Sequence, residues 1–83
     1  MVIDDVTEII IDAAFHIHKD LGPGLLESVY EAILSRKLEE RGIINRRQVP
    51  VSFEYEGVRY KEGFRIDLLV QDKVIVELKS VEM

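Results

Sequence analysis

The chain reads as an α+β domain, two N-terminal helices followed by a three-stranded antiparallel β-meander, on three observations. Apolar residues recur at steps of three and four as far as Leu38, and from Ile43 the period changes to alternation. Leu21-Gly22-Pro23-Gly24 and Gly42 punctuate the helical half, while Glu56-Gly57 and Gln71-Asp72-Lys73 punctuate the alternating half. The 83 residues suffice for one small domain, 1–83, and contain no linker, repeat or low-complexity segment.

Each element follows from its residues. Asp5 with Glu8 three positions on has the spacing of a capping box, with Asp in place of Ser or Thr. Val6, Ile10, Ala13, Ile17 and Leu21 then form one helical face, widened by Ile9 and Ala14. Gly22 suits a left-handed C-terminal conformation, and Pro23 stops continuation. The second helix is expected over about 25–41, with Leu26, Val29, Tyr30, Ile33, Leu34 and Leu38 as its apolar stripe and Gly42 as its C-terminal glycine.

In the first strand Val49, Val51, Phe53 and Tyr55 share one face, with Ser52 and Glu54 on the other. Pro50 places that strand at a sheet edge. Glu56-Gly57 is a hairpin turn. In the second strand Val58, Tyr60, Phe64, Ile66, Leu68 and Val70 face one way, and Arg59, Lys61, Arg65, Asp67 and Leu69 the other. Gly63 marks a bulge. A last strand is expected over 74–80, and the helices cover one side of the meander.

Composition narrows the function classes. Sixteen acidic against eleven basic residues give a net charge of −5, which argues against charge-driven non-specific binding to nucleic acid and leaves only a local basic stripe. The absence of cysteine removes disulfides and thiolate metal sites. No apolar run approaches the roughly 18 residues of a membrane span, and residues 1–8 lack a basic flank and an apolar signal core. A soluble cytoplasmic protein without a membrane partner is the expectation.

Four polar residues do not fit the packing pattern. Glu27 falls on the shoulder of the second helix's apolar stripe, and an acid in a first helical turn also complements the helix dipole. Asp67 interrupts the apolar run Phe64 to Val70, where a carboxylate needs a cation, donors or an open cleft. Glu77 and Lys79 share a strand face opposite the core-facing Val74, Val76 and Leu78; alone, such an acid and amine read as a surface ion pair.

Register decides whether they meet. A two-residue turn at Gln71-Asp72 pairs Asp67 with Val76; a three-residue turn at Gln71-Asp72-Lys73 pairs Asp67 with Glu77 and Leu69 with Ile75. Gln-Asp lacks the glycine that a two-residue turn favours, so the longer turn is expected. It brings two carboxylates within roughly 5 Å at their Cβ atoms, with Lys79 one step further on. Such like charges call for a divalent cation between them, and carboxylate oxygens suit Mg²⁺ or Mn²⁺. An ion so held activates water and neutralises a phosphate, while the lysine orients the water or stabilises phosphoryl charge.

Asp67 followed ten positions later by Glu77-Leu78-Lys79 resembles the D…E-x-K signature of the PD-(D/E)XK nuclease superfamily. Gly24-Leu25-Leu26-Glu27-Ser28-Val29-Tyr30 resembles the GxxExxY motif that names one of its branches, as do Leu21-Gly22-Pro23-Gly24 and Tyr55-Glu56-Gly57. The resemblance spans essentially the whole chain. It implies metal-dependent phosphodiester hydrolysis, with DNA the favoured substrate, and a restriction-endonuclease-like core. Asp67 and Glu77 are then metal ligands, the Leu78 carbonyl adds a third oxygen, Lys79 positions the hydrolytic water, and Glu27 completes or flanks the site. That core also has a further helix and strand after the signature, which these 83 residues do not include. The expectation is a truncated core whose uncovered surface is closed by self-association.

Two readings therefore compete: a Mg²⁺- or Mn²⁺-dependent nuclease, and a catalytically inactive nuclease-like domain acting through self-association or partner binding. Arg59, Lys61 and Arg65 form the basic stripe on the Asp67 face, serving either phosphate contact or ordinary solvation. His16 and His18 are two apart on a helix and diverge, so they do not chelate together.

Overall fold

A computed structural model of the chain describes residues 2–79. Two helices, α1 (Ile3–Leu21) and α2 (Glu27–Glu40), precede three strands, β1 (Asn45–Tyr55), β2 (Val58–Val70) and β3 (Val74–Val76). The strands form an antiparallel sheet in the order β1-β2-β3. This is the α+β meander the periodicity predicts.

The stripe read for α1 is its core face: Val6, Ile10, Ala13 and Ile17 are buried, while Leu21 at the C-terminal end is exposed. The capping box is not formed. The helix begins at Ile3 behind an extended Val2 with no side-chain cap, so Asp5 already lies inside the first turn. There Asp4 and Asp5 favour the helix by meeting its positive end, with His18 and Lys19 at the other end.

α2 starts two residues later than the pattern indicates, because Gly24 takes φ +101 and Leu26 is extended, so 24–26 are not helical. Leu26 and Val29 are exposed as a result, and the buried face is Glu31, Leu34, Ser35 and Leu38. Two of those four are polar, which makes the helix weakly amphipathic by sequence. Its C-terminus closes as a Schellman motif: Gly42 N–H donates to Glu39 O at 2.9 Å, and Ile43 N–H to Leu38 O at 2.9 Å. The motif folds buried Ile43 back against buried Leu38.

Sheet register follows the turns. Tyr55 pairs with Val58 across a two-residue turn in which Glu56 and Gly57 both have positive φ, the type I′ geometry. β1 is an edge strand, as Pro50 requires. Between Val51 and Phe53 the β1–β2 register shifts, with extra β2 residues at 61–63. Gly63 belongs to this bulge; its missing Cβ leaves room for the Phe53 ring, which any side chain there would strike.

Leu68, Leu69 and Val70 pair with Val76, Ile75 and Val74, so Gln71-Asp72-Lys73 is the three-residue turn. Gln71 and Asp72 nonetheless adopt positive φ, at 55° and 53°. Gln71 N–H donating to Ile44 O at 2.8 Å, and the Arg46–Asp72 ion pair at 2.8 Å, hold that conformation. β3 ends at Val76, short of the expected 74–80; position 80 lies outside the described residues.

Helices and sheet enclose one core of Val6, Ile10, Ala13, Ile17, Leu34, Leu38, Ile43, Leu68 and Val70. Only the inner half of the β1–β2 hairpin takes part: residues 52–64 are exposed and lie outside the core. The radius of gyration is 14.6 Å, against roughly 12 Å for a compact chain of this length.

Candidate functional site

Glu27, Glu77, Leu78 and Lys79 line one concavity of about 320 Å³, together with His18, Leu25 and Tyr30. Three elements build it: the last turn of α1, the loop and first turn of α2, and the segment after β3. The volume lies in the range of small-ligand pockets.

Gly24, Glu27 and Tyr30 each have a separate physical task here. The positive φ of Gly24 lets the chain reverse between the helices. Glu27 is the first residue of α2, placed by that reversal on the pocket wall. Tyr30 stands one turn further on; its O–H donates to Ala14 O at 3.0 Å and ties α2 to α1. Burial pushes the Tyr30 hydroxyl above its ordinary value.

Tyr30→Phe is expected to cost about 1 kcal/mol in denaturant unfolding, the net worth of one hydrogen bond. The pH effect has a definite sign. A raised native pKa means stability is whole below about 10, where the unfolded tyrosine ionises, and declines as pH rises above it. Wild type is therefore expected to lose stability more steeply than Tyr30→Phe above that pH, as followed by thermal melts.

Asp67 is half-buried and does not line the concavity, yet it is joined to it. Its Oδ2 accepts the Leu78 N–H at 2.9 Å. A side chain thus takes the place of the β2 main chain as partner just beyond the β3 ladder, which explains why β3 stops at Val76. The three-residue turn predicted for its register is present, and it carries Asp67 to the Glu77-Leu78 peptide. Glu77 and Lys79 are exposed and Leu78 half-buried. Among the described residues, no group of three or more His, Cys, Asp or Glu side chains converges in a metal-binding cluster.

Other residues fall as follows. Arg59 Nη2 donates to Ser52 Oγ at 3.3 Å, and Arg65 lies 3.7 Å from Glu62; with Lys61 they are exposed on the hairpin, away from the concavity. His16 Nδ1 sits 2.8 Å from Asp12 O, outside the concavity. His18 is the pocket residue that sequence reasoning missed; its position in the turn before Leu21-Gly22-Pro23-Gly24, the segment leading to Glu27, was the available signal.

A second feature was also missed. Glu31 is 4% exposed, and its Oε1 accepts from Arg47 Nε at 3.1 Å and its Oε2 from Gln48 Nε2 at 2.9 Å. Beside it Ser35 Oγ donates to Asn45 Oδ1, and Asn45 Nδ2 donates to Ser35 O at 3.2 Å. Gln48 has φ 52° and lies between the Arg47–Leu68 and Val49–Ile66 pairs, the β1 position facing Asp67. The network fastens α2 to the strand beside Asp67.

No helix among the described residues is long and apolar enough to cross a membrane. A family model described as the PD-(D/E)XK nuclease superfamily matches residues 4–83. No curated protein and no solved structure matches the chain.

Proposed function

Because the chain belongs to the PD-(D/E)XK nuclease superfamily, we propose that it is a divalent-metal-dependent phosphodiesterase of the GxxExxY branch, acting on DNA. One observation carries this reading: the Asp67 carboxylate is bonded to the backbone of Leu78, inside the Glu77-Leu78-Lys79 segment, and that segment faces Glu27 across one concavity.

The donor set fits a hard cation. Asp67 and Glu77 offer carboxylate oxygens and the Leu78 carbonyl a third, with Glu27 on the facing wall, and oxygen ligands of this kind select Mg²⁺ or Mn²⁺. When bound, such an ion lowers the pKa of a water and offsets phosphate charge. The chain's own groups do the rest. Lys79, exposed at the rim, donates to the attacking water or to a phosphoryl oxygen. Tyr30, fixed on Ala14, and Leu25 form a rigid wall that limits how a phosphodiester enters. In the reaction the water oxygen bonds to phosphorus as the water gives up a proton to solvent, the P–O bond to the leaving strand breaks, and the departing oxygen takes a proton from solvent.

The test is cleavage of plasmid and single-stranded DNA by the full chain with Mg²⁺ or Mn²⁺. Expected is cleavage abolished by chelation and restored by added metal; intact DNA at stoichiometric protein with either metal sinks the reading. One observation favours a second reading, a nuclease fold without turnover: the described residues assemble no three-carboxylate cluster. Intact DNA would then accompany absent calorimetric binding of both metals.

A further inference from the structure

The outer hairpin carries a feature unrelated to the concavity. Under the helices, the β2 face bearing Leu68 and Val70 is core. The same face continues outward, unroofed, as Phe53, Tyr55, Val58, Tyr60 and Phe64, each between 41 and 62% exposed. Phe53 stacks on Tyr60 at a centroid separation of 5.3 Å and on Phe64 at 6.0 Å, with interplanar angles of 20° and 7°. The three rings thus form an ordered layer of nearly parallel, stacked planes.

We propose that this layer is a self-association surface, seating the same face of a second copy of the chain about a two-fold axis. Three observations select that occupant. The first is area: five side chains of this size, about half open, leave on the order of 500 Å² of apolar face on each copy. Two such faces remove on the order of 1,000 Å² from water, the threshold for a specific interface. The second is charge. The chain carries −5 overall, but in the hairpin Glu54, Glu56 and Glu62 are balanced by Arg59, Lys61 and Arg65. Two copies meeting there avoid the repulsion their other surfaces exert, and a neutral apolar layer is complementary to itself, as a two-fold contact requires. The third is access, because residues 52–64 are all exposed, which leaves this part of the sheet face open to a second sheet.

Nucleic acid fits less well. Base stacking needs open ring faces along a positive groove; here Phe53 is already stacked against two rings, and the local charge is balanced.

Sedimentation of the full chain from about 1 μM to about 1 mM, the span over which weak dissociation constants are read, tests the proposal. A monomer–dimer equilibrium is expected. Phe64→Glu should raise the dissociation constant roughly 30-fold or more, as for a central contact residue, with far-UV circular dichroism unchanged because the ring lies outside the core. If that variant loses its helical signal, Tyr55→Glu at the outer end is read in its place. Ile75→Glu, exposed and off the hairpin, should leave the dimer intact. A monomer throughout overturns the proposal, as does a dimer insensitive to the hairpin variants or lost with Ile75→Glu. So does saturable quenching of tyrosine fluorescence by oligothymidine in a chain that stays monomeric. None of these readouts depends on phosphodiesterase activity.

Discussion

Asp67→Asn is expected to abolish metal-dependent DNA cleavage while leaving the fold in place. The substitution is close to isosteric and keeps an oxygen to accept the Leu78 N–H, which wild type holds at 2.9 Å. What it removes is the charge. A neutral amide binds a divalent cation far more weakly than a carboxylate, so metal affinity and cleavage should fall together, by on the order of 10²–10³-fold, the loss that follows deletion of one preorganised electrostatic group. Asp67→Ala loses the hydrogen bond as well, and should add about 1 kcal/mol of destabilisation as Leu78 loses its acceptor. Lys79→Ala makes the informative contrast. The amine carries no lone pair for a metal while protonated, so calorimetric Mn²⁺ affinity should persist while cleavage falls by a similar factor. If Lys79→Ala cleaves like wild type, or Asp67→Asn binds Mn²⁺ as tightly, the assignment of roles to these two residues is wrong.

The helical half of the fold was legible because its burial is apolar and periodic: Val6, Ile10, Ala13 and Ile17 leave little choice of face. Turn chemistry likewise specifies the β2–β3 register, although the missing glycine is only half of the physics. Gln71 and Asp72 do take left-handed conformations without glycine, held by Ile44 O and Arg46. The start of α2 is not legible in the side chains because nothing polar caps it; Gly24's backbone, not a side chain, sets where the helix begins. Glu31 and Ser35 were invisible to a hydropathy pattern that treats polar residues as solvent-facing. They could have been found by geometry, since burying Leu34 and Leu38 forces positions 31 and 35 toward the same neighbours, and Asn45, Arg47 and Gln48 stand ready as partners. The site was half legible for a related reason. Asp67 and the Glu77-Leu78-Lys79 segment follow from register, whereas the contribution of His18 depends on how two helices cross, which local spacing does not encode.

The Glu31 network yields the second large effect, and its sign depends on which partner is removed. Glu31 is 4% exposed, while the Arg47 side chain is 44% exposed and already reaches water. Arg47→Ala therefore strands a buried carboxylate with only the Gln48 amide at 2.9 Å to hold it, and should cost about 2–3 kcal/mol. Against the roughly 4–12 kcal/mol available to a chain of this length that is a large fraction, and it should lower the melting temperature by roughly 10–20 °C. Glu31→Leu runs the other way. It removes the buried charge, fills the space with hydrocarbon, and frees Arg47 to solvent, so the net change should stay below about 1 kcal/mol in either direction, as when a buried ion pair gives way to an apolar group. Two-state denaturant curves on both variants check the ordering: an equal or larger loss for Glu31→Leu would mean that the carboxylate is a net stabiliser and that Arg47 is not held merely to neutralise it. The network also bears on the site, because Glu27 stands one helical turn before Glu31, and Gln48 occupies the strand position facing Asp67. Loosening α2 at Arg47 should thus weaken DNA cleavage more than it weakens metal binding, since Asp67 and Glu77 remain in place while the Glu27 wall drifts.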